Sequence, residues 1–198
     1  MLKRLVVLVV LLYGSTAAWA DARSDCEKES GETAIKGCTE LIQRNPKDAD
    51  AYINRGNVYA DMKDYDRAIT DYSRAIEISP KDADAYINRG HAYADKEDYD
   101  RAIADYSKAI EINPNDAETY NTRAYAYLKS GKAAQGLPDA EKSLQLRPDD
   151  AITLDARGHI FEALGRREEA IADFRRALAQ DPDLQESKDA LKRLGAQP

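Results

Sequence analysis

The chain has 198 residues, with 36 acidic against 29 basic side chains and a formal net charge of -7. Such an excess of carboxylates repels nucleic acid and anionic lipid, and argues against either as a partner. Charged residues at 33% and hydrophobic ones at 43% are the mixture of a globular chain, which excludes a disordered one.

Residues 1–20 read as a secretory signal peptide. Lys3 and Arg4 precede an apolar run from Leu5 to Leu12, and the small-residue site Ala18-Trp19-Ala20 follows. The run is too short for a bilayer, which takes about 20 apolar residues, so no stable membrane insertion is expected after cleavage behind Ala20. Residue 21 is Asp, so the usual lipid attachment at an N-terminal Cys is not expected either. A periplasmic or secreted location follows, and loss of Lys3 and Arg4 takes the formal charge from -7 to -9. Cys26 and Cys38 stand in the next segment, 21–48. In an oxidising compartment a disulfide between them is expected, and two free buried thiols are the alternative.

From there the chain repeats. Prolines recur at Pro46, Pro80, Pro114, Pro148 and Pro182, each 34 residues after the last. The segment 49–82 matches 83–116 at 26 of 34 positions, including a shared Ala-Asp-Ala-Tyr-Ile-Asn-Arg-Gly. Counting Ala49 as position 1, Tyr52, Gly56 and Tyr59 share one helical face, and Ala68, Tyr72, Ala75 and Ile76 share another. An Asp within the stretch Met62-Lys63-Asp64-Tyr65-Asp66 is placed to cap the second helix, and Pro80 to end it. Each unit is thus a helical hairpin whose small residues admit a close neighbour, and one hairpin cannot cover both of its apolar faces.

Tyr52, Gly56, Tyr59, Ala68, Tyr72, Ala75 and Pro80, at positions 4, 8, 11, 20, 24, 27 and 32, closely resemble the tetratricopeptide repeat (TPR) signature. The resemblance implies an all-α, right-handed superhelical solenoid of helix-turn-helix repeats with a C-terminal capping helix. In this register 21–48 is a truncated N-terminal repeat or cap, and 49–82, 83–116, 117–150 and 151–184 are four full repeats. The tail, 185–198, is a capping helix, with Leu184, Leu191 and Leu194 as its apolar stripe and Glu186, Lys188, Lys192 and Arg193 facing water. The third repeat is irregular. Gly136 stands at position 20 and Pro138 two residues later, so its second helix is expected to start late, near Pro138.

Position 7 is Arg in every full repeat: Arg55, Arg89, Arg123 and Arg157. Position 23 is Asp71, Asp105, Asp139 and Asp173. A buried guanidinium needs a counter-charge, so a ladder of Arg–Asp pairs is expected. A row of arginines binding an anionic ligand is the alternative, disfavoured because the matched aspartates already supply the charge.

The resemblance further implies that positions 2, 5, 9, 12 and 13 line an inner, concave face. The residues expected to bind a partner there are Asp50, Ile53, Asn57 and Asp61, then Asp84, Ile87, His91 and Asp95. The later repeats contribute Glu118, Asn121, Tyr125 and Lys129, then Asp155, His159 and Glu162. One lysine against seven acids makes this face acidic with an apolar floor. It suits another protein or peptide carrying basic and apolar side chains. Tyr125 is the aromatic anchor, because the other ten tyrosines after residue 20 fall at packing positions. The lysine and asparagine clamp with which chaperone-binding relatives grip a terminal carboxylate is not matched, since Ile53 and Ile87 stand at position 5. His91 with Asp95, and His159 with Glu162, offer too few ligands for a metal; a pH-dependent partner contact suits them better. With no nucleophile elbow, metal signature or phosphate-cradling loop, no catalytic residue, cofactor or metal is expected. The reading is a non-enzymatic interaction scaffold or adaptor. Its alternatives are a self-associating structural component of an envelope assembly and an enzyme accessory subunit, and the oligomeric state stays open.

Overall fold

The computed structural model describes residues 21–197, and the signal-peptide reading at 1–20 lies outside them. The described residues are all-α: α1 (21–28), α2 (Gly31–Arg44), α3 (Ala49–Asp61), α4 (Tyr65–Ile78), α5 (Ala83–Asp95), α6 (Tyr99–Ile112), α7 (Ala117–Lys129), α8 (Ala133–Leu146), α9 (Ala151–Ala163), α10 (Arg167–Gln180) and α11 (Gln185–Arg193). No strand occurs among them. The chain divides into two compact units, one up to Ala92 and one from Tyr93.

Each of the four full repeats turns on one left-handed residue at position 15. Gly131 and Gly165 take it at φ 75° and 73°, while Lys63 and Glu97 take it at φ 60° despite their Cβ atoms. The turn closes by a bond from the next N–H to a carbonyl five residues back, as from Asp64 N to Tyr59 O at 2.8 Å. Asp64 and Asp98 then cap the following helices, accepting from Arg67 N and Arg101 N. Between repeats the caps are Asp48, Asp82, Asp116 and Asp150, all at position 34.

In the first unit α2 packs on α3 and α3 on α4. Gly56 lies so close to Tyr72 that a Cβ would meet the ring at 2.7 Å, and Ala68 is fully buried in the same cluster. At the N-terminal end Cys26 and Cys38 are joined by a disulfide that ties α1 to α2. Ala22, Leu41 and Ala51 bury the bridge, and Gly37 gives it room, because a Cβ there would strike the Ala22 carbonyl.

In the second unit α6, α7, α8, α9, α10 and α11 pack in succession, and α7 also meets α9. Gly158 repeats the close approach against Phe174. The third repeat departs from the sequence expectation. Its second helix starts at Ala133, the same register as the others, with Pro138 inside it. A proline there forfeits one backbone bond, yet burial of Ala133 and Ala140 against α7, and an approach that Gly136 permits to the Ala124 carbonyl, hold the first turn in helix. That turn is tightened by a bond from Gln135 N to Lys132 O at 2.8 Å, and Lys132 offers no side-chain cap. The C-terminal stripe differs as well. α11 buries Ser187, Ala190 and Leu191, while Leu184 precedes the helix as its N-cap residue.

The position-7 arginines lie between helices. Arg55 grips Asp71 through Nε and Nη2 at 2.7 and 2.8 Å, and its Nη1 donates to Thr39 at 2.9 Å. Arg123 does the same with Asp139, at 2.7 Å twice, and with Ser107 at 2.9 Å. Arg157 holds Asp173 at 2.6 and 2.8 Å, and Arg89 reaches Ser73 at 3.0 Å. Thr39, Ser73 and Ser107 all occupy position 25 of the preceding repeat. One guanidinium therefore fastens its own second helix and the second helix before it. The aspartates are buried, with Asp71 at 4% and Asp173 at 3% exposure.

Replacing Arg123 by Met strands the Asp139 charge and is expected to cost about 3 kcal/mol, read as a lower midpoint in thermal melts followed by circular dichroism. The double change Arg123→Met with Asp139→Leu should recover most of that loss. A single variant that melts like the parent would mean the pair carries no stability.

Candidate functional site

The candidate residues on α3 and α5 lie mostly in solvent: Asp50, Asn57, Asp61, Asp84, His91 and Asp95 are exposed, and Ile53 and Ile87 are half-buried. Asn57 is engaged within its own unit, since Tyr72 Oη donates to its Oδ1 at 2.8 Å and Asn88 Nδ2 approaches at 3.3 Å.

In the second unit the candidates converge. A cavity of about 500 Å³ lies between α7, α9 and α11. Tyr125, Leu128 and Lys129 form one wall, and Ile152, Asp155, His159, Glu162 and Ala163 form another. Leu184 and Glu186, at the start of α11, close the third side. Glu118 and Asn121 line a neighbouring hollow of about 350 Å³ that shares Ile152, and the Asn121 Oδ1 is buried with no hydrogen-bond partner among the described residues.

The apolar part of this surface is open. Tyr125 is 48% exposed and Ile152 55%, both large side chains standing in water. Lys129 lies over the Tyr125 ring, its ammonium 5.8 Å from the centroid. The polar part is a chain of paired groups. His159 has Nε2 3.5 Å from Asp155 and Nδ1 3.6 Å from Glu162, both on its own helix, and its ring meets Phe174 edge-on at 4.9 Å. Glu162 accepts two bonds from Arg193, at 2.8 and 2.7 Å, and that guanidinium holds its carboxyl below the usual range. Burial pushes the Asp155 carboxyl up; the Ser187 hydroxyl, which donates to it, and His159 oppose the shift, while the charge of Glu186 adds to it.

Serine, aspartate and histidine meet here without forming a nucleophile. The Ser187 hydroxyl is directed to Asp155, not to the imidazole, and Ser187 is fully buried, out of reach of any substrate. The lining offers an apolar floor, one aromatic face and several carboxylates.

Leu184, Glu186, Ser187 and Arg193 are the residues that the pattern of repeats did not bring forward. The register holds their signal. Gln185 is position 1 of a would-be fifth repeat, so Glu186 falls at position 2 and Arg193 at position 9, both inner-face positions. Leu184 stands at position 34, where every earlier repeat boundary has its capping Asp, and α11 has no side-chain cap.

A TPR repeat family model matches residues 56–96, and tetratricopeptide repeat models match 38–70, 83–116, 106–137 and 151–184. Among solved structures, one of MamA protein superposes with a TM-score of 0.75 at 21% identity, covering 90% of this chain and 93% of that one, a likeness of fold. The Arabidopsis OM64 TPR domain is 31% identical over 57% of this chain and 93% of its own, with a TM-score of 0.55. The first TPR of Spaghetti (RPAP3), bound to the HSP90 peptide SRMEEVD, is 27% identical over 57% of this chain and 90% of its own, with a TM-score of 0.56. The comparison with curated proteins finds no match.

A carboxyl whose pKa is raised by folding binds its proton first in the native state. Its ionisation therefore costs stability above the folded pKa, and the cost vanishes once the pH falls below the unfolded value. Asp155→Asn keeps an oxygen for Ser187 and is expected to raise the melting midpoint at neutral pH, a gain that shrinks as the pH is lowered through the carboxylate range. A variant that melts lower at neutral pH would mark the ionised carboxylate as a net stabiliser.

Proposed function

Because the chain belongs to the tetratricopeptide repeat family, we propose that it is an exported, non-enzymatic adaptor that holds a segment of another protein against the face formed by α7, α9 and α11. The observation that carries this reading is the pair of large apolar side chains, Tyr125 and Ile152, left open beside a cavity of about 500 Å³. Exposed apolar surface rimmed by charge is costly to keep in water, and it is how interaction sites are built. An aromatic at the centre supplies contact area at little entropic cost.

A peptide as the class of ligand is supported by the similar domain that holds one. The chemistry of the partner here is read from this chain instead. Asp155, Glu162 and Glu186 face the cavity against one lysine, Lys129, which favours basic and apolar side chains over an acidic tail. The net charge of -7 weighs against nucleic acid. Export to the periplasm or beyond is supported by the composition of residues 1–20 and by the Cys26–Cys38 disulfide, a bond that persists in oxidising compartments.

Tyr125→Ala combined with Ile152→Ser should leave the far-ultraviolet circular dichroism unchanged and reduce capture of the partner from an envelope extract by about tenfold or more. Capture equal to that of the parent would place binding on another surface. Fractionation of cells expressing the full chain tests the location, and recovery in the cytoplasm would sink the export reading.

A further inference from the structure

Two carboxylates in the cavity have no lysine or arginine of their own. Asp155 has the Ser187 hydroxyl and the His159 imidazole, and among the described residues no lysine or arginine forms an ion pair with it. Glu186, exposed on the first turn of α11, likewise makes no ion pair among the described residues, and its charge is felt at Asp155. The neighbouring charges are already engaged. Glu162 holds Arg193 through two bonds, and Lys129 lies over Tyr125. Negative charge thus remains uncompensated on the side of the cavity where α9 meets α11.

The apolar groups on that side are substitutions within the register. Ile152 occupies position 2, where Asp50, Asp84, Glu118 and Glu186 stand in the other first helices. Leu184 occupies the capping position that is Asp at every earlier boundary, and α11 forgoes a side-chain cap. Both line the cavity. A long side chain with an aliphatic stem and a cationic head matches such a surface, because the stem covers Ile152 and Leu184 while the head reaches the poorly solvated carboxylate of Asp155 and the exposed one of Glu186. A bare metal ion is a poor match. The space is far larger than an ion, and no group of three or more metal-ligating side chains occurs among the described residues.

We infer that this corner is the seat of one lysine or arginine side chain of the partner, its stem on Ile152 and Leu184 and its head group between Asp155 and Glu186. The inference rests on the proposed adaptor reading and narrows it. It gives α11 a role in recognition, so that the last helix is a wall of the site as well as the cover of α9 and α10.

The test uses the purified protein, isotopically labelled, and three blocked peptides that differ at one residue: Ala-Leu-Lys-Leu-Ala, its norleucine twin and its glutamate twin. Titration followed by amide resonances should show the lysine peptide shifting α9 and the start of α11, and binding about tenfold tighter than the norleucine twin, a preference worth about 1.4 kcal/mol. High salt should erode the preference. Glu186→Gln lies on an exposed turn and spares the fold; it should erase most of the preference while leaving norleucine binding in place. Asp155→Asn, which keeps the Ser187 bond, should act the same way. Equal binding of the lysine and norleucine peptides, or a preference that survives in Glu186→Gln, overturns the cationic seat and leaves the adaptor reading intact. Preference for the glutamate twin overturns it too, as does silence from all three peptides at millimolar concentration. The proposed binding face itself falls only if the Tyr125 and Ile152 variant captures its partner undiminished.

Discussion

The interaction on which each unit depends is the guanidinium at position 7. A helical hairpin of this length buries little by itself, and packing of small residues against aromatics gives it no fixed register relative to the next hairpin. Arg55 and Arg123 supply that register. Each grips a buried aspartate on its own second helix with two parallel bonds, and with the remaining nitrogen it reaches a hydroxyl on the second helix before it. A lysine could offer charge there but not a planar fork. Where the preceding residue is Glu141 instead of a serine or threonine, Arg157 keeps its aspartate and feels the second carboxylate through space. In α11 position 7 is Leu191, fully buried in an apolar cluster.

Several departures from the repeat fall at positions 2, 9 and 34. Position 9 is Asn57, His91, Tyr125, His159 and then Arg193; position 2 is acidic except for Ile152; position 34 is Asp except for Leu184. Three of these departures, Tyr125, Ile152 and Leu184, line one cavity. Each gives up something local, a solvated side chain or a helix cap, and positions that break a local rule without a packing reason are where function is expected to reside. Of the paired polar groups around them, His159 and its two carboxylates lie within α9, and Glu162 with Arg193 joins α9 to α11.

Much of the architecture was legible from residue spacing. The prolines at a constant interval, the small residues at positions 8, 20 and 27 and the paired Arg and Asp at 7 and 23 are each demanded by helix contacts that recur with the repeat. The disulfide was legible from two cysteines standing together in the segment that follows the expected signal peptide. The late start expected for the helix holding Pro138 did not occur, because local backbone preference competes there with burial of Ala133 and Ala140, and burial is the larger effect. Leu184 was assigned to a stripe it does not join, because helix spacing was extended one residue beyond the helix, onto its N-cap.

The repeated contacts recur at fixed offsets, so the sequence by itself determined the helical hairpins, their register and their family. It also set Tyr125 apart as the tyrosine outside the packing positions, and the resemblance put Asp155, His159 and Glu162 on the face expected to bind. Only the tertiary structure decided which of the inner-face residues share a cavity. That depends on where α11 lands on α9 and α10, and it brings Glu186 to Asp155 and Arg193 to Glu162 across separations of about thirty residues. A local pattern records which face a side chain takes; which carboxylate is left without a cation is a property of distances between helices.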